Sequence, residues 1–234
     1  MHILAVIDSR NRLELDKSEL ECLHHLKEAE SVFLEHDLAH KKLDFTDVPL
    51  KNTDVLHVTK HCVPTRIFTD PAFSSTSTAI GSGIELESIQ REAHNLSYSL
   101  VFLNGCNTAT SSNWNYFKHF QTNEQISLLS TFLLNQKSSV IATHWNLVEV
   151  LGFVFTFLFY RHFFRCFCSD RAFALAISDL YDLTREEAIE VVNQIANTND
   201  REKRVAALRD SPLSHPFRSP YCTGVYSISS LIRP

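Results

Sequence analysis

Apolar positions along this chain gather into short unbroken runs, separated by longer stretches in which they recur at helical spacing. Ile3, Leu4, Ala5, Val6 and Ile7 form one such run that stops at Asp8 and Ser9, which predicts a strand buried on both faces. In residues 17–30, Leu20, Leu23 and Leu26 return on one side of a stretch rich in Glu and Lys, which predicts an amphipathic helix after the acidic start at Asp16. Short strands are expected at 31–34 and 55–58, the second ending at Lys60, His61, Cys62 and Pro64. Residues 65–83, rich in Ser and Thr with Pro71 and a Gly81-Ser82-Gly83 turn, carry neither period and are expected to form a mobile loop. Ile84, Leu86, Ile89, Ala93 and Leu96 then return near the helix period, and an apolar strand at 99–103 ends in Asn104, Gly105, Cys106, Asn107 and Thr108.

The second half continues in the same way. A helix is expected at 124–135, a strand at 139–143 running into His144 and Trp145, and helices at 148–164 and 170–183. A charged helical stretch at 186–208 is broken near 197–200, and a Pro-punctuated loop at 211–220 leads to a closing strand at 222–228. Strands alternating with helices predict an α/β fold with a mostly parallel sheet and helices on both faces. Ligands and reacting groups collect beyond the carboxyl ends of the strands in such folds, and His61 and Cys106 each follow one.

Composition narrows the classes. The 234 residues are 44% hydrophobic and 21% charged with 5 Gly and 7 Pro, which excludes disordered and collagen-like chains and fits a single domain over 1–234. Lys plus Arg number 22 against 27 Asp plus Glu, a net charge of -5, so no electrostatic footprint for nucleic acid is present. The 6 cysteines are irregularly spaced in a chain too long to depend on disulfides, and the first apolar run lacks the features of a secretory signal, so a cytoplasmic location is expected. The uncharged aromatic stretch at 150–160 lies between Glu149 and Arg161, far short of the roughly 20 residues of a membrane span, and is expected to be a buried helix. A nucleotide-binding reading lacks both G-x-G-x-x-G and P-loop patterns after any strand.

A cysteine peptidase needs a thiolate nucleophile, a histidine for proton transfer and backbone donors for the tetrahedral oxyanion. His61 and Cys106 would supply the two side chains from successive long strands, and spacing alone leaves this one pairing among many. The segments Asp54-Val55-Leu56-His57-Val58-Thr59-Lys60-His61-Cys62 and Leu100-Val101-Phe102-Leu103-Asn104-Gly105-Cys106-Asn107-Thr108-Ala109 resemble the two signature blocks of CHAT domains. Those are caspase-like cysteine peptidases related to separase and gingipain. Gly83 to Ile89, Ser139 to Glu149 and His215-Pro216-Phe217 are similar to further parts of the family pattern, so the resemblance spans about residues 50–230.

The resemblance implies a caspase-like three-layer sandwich and cleavage of protein or peptide substrates by a Cys-His dyad without a cofactor. Cys106 would be the nucleophile, His61 the general acid and base, and backbone amides at Cys62 and Cys106 the oxyanion hole. Control would come from a regulatory protein partner, from self-association or from ordering of the 65–83 loop. The family has Gly where this chain has Cys62. A side-chain carbon is penalised there if the position needs positive φ, so the competing reading is a catalytically inactive caspase-like protein-interaction module.

Other residues carry weaker signals. His57, within an apolar strand, is expected to be a hydrogen-bonded core histidine and not the catalytic one. Cys62 is expected to fill space. His162, Cys166 and Cys168 lie on one aromatic stretch without a second ligand pair, so core packing and no metal site are expected. His24, His25, His36 and His40 fit a solvated face. Trp145 follows a strand as a core or pocket-wall aromatic, and Glu149 at a helix start is a candidate for binding a basic substrate residue. Asn104 and Asn107 flank Cys106 and are candidates for positioning backbone or substrate, or for forming the turn. The Phe-rich run at 153–167 is expected to pack between layers.

Overall fold

A computed structural model describes residues 2–7, 22, 23, 26, 33–35, 54–59, 62, 63, 66–68, 83–85, 98–105, 108, 109, 128–133, 138–195 and 198–230. The first apolar run forms strand β1 (His2–Ile7), followed by β2 (Phe33–Glu35) and β3 (Val55–Thr59). Three short strands come next, β4 (Cys62–Val63), β5 (Arg66–Phe68) and β6 (Gly83–Glu85), then β7 (Leu100–Leu103), helix α1 (Leu128–Leu133) and β8 (Ser139–Thr143). The chain then turns helical: α2 (Glu149–Cys166), α3 (Ser169–Asp182), α4 (Arg185–Ile195), α5 (Thr198–Arg209) and the single turn α6 (Pro220–Thr223), before closing in β9 (Tyr226–Ser230).

The main sheet has the order β2-β1-β3-β7-β8-β9, parallel throughout except for the antiparallel β8–β9 pair. The architecture is therefore mixed α/β on a mostly parallel sheet. All five residues of β3 and all four of β7 are buried, which is why these strands read as continuous apolar runs instead of alternating ones. The register sets Val55, Leu100 and Ile3 in one row and His57, Phe102 and Ile141 in another on the same face. Leu56, Val101 and Val140, which alternate with them, are buried as well.

Helix α2 packs on the first of those faces. Residues 151–160 are buried without interruption, because the helix lies between the sheet and α3. Phe102 of β7 makes edge contacts with Phe155 and Phe159, at 6.0 and 5.3 Å between ring centres, and Tyr226 of β9 stacks on Phe155 at 4.0 Å. Burying each of these rings contributes about 2–3 kcal/mol, with about 1 kcal/mol more per well-placed ring pair. The expected buried aromatic helix is thus present, ending where Phe167 takes left-handed backbone (φ 48) and its N–H returns to the Phe163 carbonyl at 2.8 Å. Phe167 itself is exposed, the one ring of the run turned outward.

Where a break is expected at 197–200, α4 ends at Ile195 and residues 198–200 already belong to α5, so the boundary lies earlier than expected, and α4 starts on a capping box. The Glu187 carboxylate accepts from the Thr184 N–H at 2.9 Å while the Thr184 hydroxyl accepts from the Glu187 N–H at 3.2 Å. Cys22, Leu23 and Leu26 are helical and buried, on the face expected for the 17–30 helix. Three expectations need correction. Arg66–Phe68 is a strand inside the expected 65–83 loop, and Ile84, expected to open a helix, lies in β6; with β4 they form a small antiparallel sheet in which β5 is the central strand. Cys222, expected in the closing strand, sits in α6. Strands of two or three residues have too few positions to show a period, and pairing with distant partners decides them. Among the described residues, no helix is long and apolar enough to cross a membrane.

Candidate active site

β3 and β7 lie side by side in parallel register, Val55 opposite Leu100 through Val58 opposite Leu103, so their carboxyl ends emerge together. The Asn104 N–H extends the ladder by one step, donating to the Val58 carbonyl at 2.8 Å. Two residues beyond Thr59 comes His61, and two beyond Asn104 comes Cys106. His61, Cys106 and Asn107 lie outside the described residues, as do His24, His25, His36 and His40. The strand order reverses between β1, which carries β2 on its far side, and β3, so this end of the sheet includes the switch point where α/β folds bind ligands.

Beneath these ends runs a buried polar layer. His57, fully buried on β3, has Nε2 2.9 Å from the Thr59 hydroxyl and Nδ1 3.1 Å from the Tyr160 hydroxyl of α2, and its ring meets Phe102 edge-on at 5.0 Å. It is the hydrogen-bonded core histidine expected. Asn104 is 2% exposed; its Nδ2 donates to the Thr156 hydroxyl of α2 at 3.1 Å and its Oδ1 accepts from Tyr226 of β9 at 2.5 Å. The Asn104 amide faces the core and ties the end of β7 to α2 and β9. Thr156 and Tyr226 were not singled out in the sequence, although a single hydroxyl inside an apolar helix is a signal that it needs a buried partner.

On the far side of β7, β8 ends at Thr143 and leads into His144 and Trp145. Thr143 and Thr108 are both fully buried and bonded to each other and to the turn that follows β7. Trp145 is partly buried, stacked on Tyr221 at 5.4 Å and donating its indole N–H to the Tyr221 carbonyl at 3.1 Å, while the Tyr221 hydroxyl donates to the Asn146 carbonyl at 2.9 Å. This pair forms an aromatic wall at the strand end next to β7. Glu149, half-exposed at the start of α2, accepts from Arg204 of α5 at 3.2 Å. That guanidinium, only 3% exposed on its side chain, also lies 4.7 Å over the Phe153 ring. Arg204 had no signal in the sequence, since α5 reads as a solvated charged helix.

Cys62 opens β4, opposite Ile67, and Phe167 is the only non-glycine residue with positive φ among the described residues. The backbone at Cys62 is therefore extended, a conformation that any residue adopts. Cys222 is half-buried, and burial pushes its thiol up, against a smaller lowering by the Ser219 hydroxyl. Cys166 is partly buried and packs against the core as expected, whereas Cys168 is exposed, which corrects its expected core packing; His162 pairs with Asp179 of α3 at 2.7 Å. Among the described residues, no group of three or more His, Cys, Asp or Glu is placed to hold a metal ion. Compared with known proteins, the chain matches no protein-family model and no curated protein.

Proposed function

We propose that this chain is a caspase-like cysteine endopeptidase in which Cys106 is the nucleophile and His61 the proton-transfer partner. The observation that carries the reading is the parallel pairing of β3 with β7, continued by the 2.8 Å bond from the Asn104 N–H to the Val58 carbonyl. It starts the two segments bearing His61 and Cys106 from neighbouring strand ends, which is what a dyad on this topology needs. A three-layer sandwich is supported by burial of both faces of β3 and β7. A thiol with a reference pKa of about 8.5 beside an imidazole near about 6.5 suits attack on a peptide carbonyl at neutral pH. The sulfur adds to the carbonyl carbon, the imidazolium protonates the leaving amine, and water then hydrolyses the thioester to release the acid and the thiol.

Backbone amides at Cys62 and Cys106 are the oxyanion donors in this reading. The extended backbone at Cys62 removes the main conformational objection to activity, so the active reading is preferred to the silent interaction module. In this reading the Trp145–Tyr221 stack, at the strand end next to β7, gives the substrate an aromatic surface, and Asn104 acts from behind as a positioning residue. The protein substrate is met in the cytoplasm, where a thiol nucleophile stays reduced, under control of a separate regulatory partner.

The test is labelling of the purified protein with peptidyl acyloxymethyl ketones bearing Asp, Arg, Lys or Leu next to the reactive group. Labelling of wild type that is absent in Cys106→Ala is expected, and the best-reacting ketone gives the substrate class. Labelling that persists in Cys106→Ala moves the nucleophile elsewhere, and none in either protein leaves the silent module.

A further inference from the structure

Cys106 and Asn107 are bracketed in sequence by Gly105 and Thr108, and both brackets are tied to one side chain, Thr143 at the end of β8. The Thr143 hydroxyl donates to the Gly105 carbonyl, and its oxygen accepts from the Thr108 N–H at 3.3 Å. In return the Thr143 N–H donates to the Thr108 hydroxyl oxygen at 2.8 Å, and that hydroxyl donates to the Leu103 carbonyl at 3.2 Å. The Ala109 N–H closes the set on the Thr143 carbonyl at 2.8 Å. Each hydroxyl has one proton, and each proton is directed at a carbonyl, so the two oxygens, 3.1 Å apart, serve each other's backbone as acceptors. Both side chains are fully buried, where every one of these bonds is costly to lose.

We propose that the Thr108–Thr143 clasp is a positioning device for the nucleophile turn, which sets the direction of the oxyanion donor that follows Gly105. A trans peptide holds its N–H antiparallel to its C=O. Thr143 fixes the Gly105 carbonyl at one bracket of the nucleophile and Thr108 and Ala109 at the other. The proposal rests on Cys106 being the nucleophile. Thr143 touches no reacting atom in this scheme; it acts through the backbone.

Thr143→Val keeps the β-branched shape and strand preference but removes the oxygen, and Thr143→Ser keeps the oxygen. The maximal inactivation rate of Cys106 by the best-reacting acyloxymethyl ketone is expected to fall about 10- to 100-fold in Thr143→Val, the scale of a small misplacement of a reacting group. The ketone concentration for half-maximal rate should stay within about twofold, and Thr143→Ser should restore most of the rate. Thr108→Val is the second variant, should Thr143→Val not fold. Hydrogen exchange read by mass spectrometry is expected to speed up in the peptide containing residues 104–109 and not in α2. A wild-type inactivation rate in either folded Val variant overturns the proposal. Absence of wild-type labelling by any ketone sinks the endopeptidase reading itself; unchanged exchange at 104–109 in the Val variants then sinks the clasp separately.

Discussion

Tyr98 stands just before β7, fully buried, and its hydroxyl has no hydrogen-bond partner among the described residues. Burial pushes the phenol above its ordinary value of 10.0, because the phenolate would lose its water. Tyr98→Phe is therefore expected to raise the unfolding free energy by about 1 kcal/mol, or roughly 2–4 °C in Tm for a chain of this size. Below the free phenol value both states hold the proton and the difference is flat. As pH rises through it, the unfolded chain releases the proton while the folded one keeps it, so wild type loses stability and the advantage of Phe widens. Urea titrations at about pH 8 and about pH 11 check this, and a gap that narrows at high pH contradicts it. Asn104 shows the opposite balance, because both ends of its amide are bonded in the core. Asn104→Ala takes one partner from each of two buried hydroxyls and is expected to cost about 2–4 kcal/mol by urea denaturation; a loss under about 0.5 kcal/mol would remove it as a structural tie.

At the scale of elements, α2 is held at its first turn by α5. Arg204 stacks on Phe153 and reaches the half-exposed Glu149, so its packing outweighs its charge pairing. Arg204→Ala is expected to destabilise by about 2–4 kcal/mol, and Arg204→Lys by more than half of that, because an ammonium cannot cover the ring as a planar guanidinium does. Glu149→Gln should cost at most about 1 kcal/mol, the range of a solvent-screened pair. A double-mutant cycle with a coupling well above that limit would show the ion pair to be the dominant contact. The helix itself was legible: uncharged residues over 150–160 flanked by Glu149 and Arg161 leave little besides a buried helix. That Thr156 in its middle meets Asn104 was not legible, because the two are brought together only by the packing of α2 on the sheet.

At the scale of the whole molecule, β9 closes the sheet by pairing antiparallel with β8 along five residue pairs, Ser139 with Ser230 through Thr143 with Tyr226. It also carries Tyr226, which stacks on Phe155 and bonds to Asn104. A chain ending after Gly224 would lose that stack and leave the backbone of β8 unpaired at the sheet edge. Such an edge recruits other strands, so the truncated protein is expected to self-associate or precipitate; a monomer of unchanged helix content by size exclusion and circular dichroism would show that β9 is dispensable. The same sheet order brings β3 beside β7. The sequence marks both strands as buried and both as leading into chemistry-bearing residues, but adjacency is a property of register.

What the residues alone determined are the elements whose burial is complete enough to leave a continuous apolar signature: β3, β7, β8 and α2. A strand covered on both faces is mostly apolar instead of alternating, and a helix wrapped on all sides must lack charge, so local composition reports the element directly. The two blocks around His61 and Cys106 were legible for the same reason, each being such a strand followed by polar residues. Tertiary structure alone decided the rest. β5 exists because β4 and β6 pair with it on its two sides. Asn104 turns inward because Thr156 and Tyr226 wait there, Arg204 is buried because Phe153 offers it a ring, and Thr143 faces the turn after β7 because β8 pairs with β7 in this register. A buried polar group is stable only when its partner arrives from elsewhere in the chain, and no local pattern records that arrival.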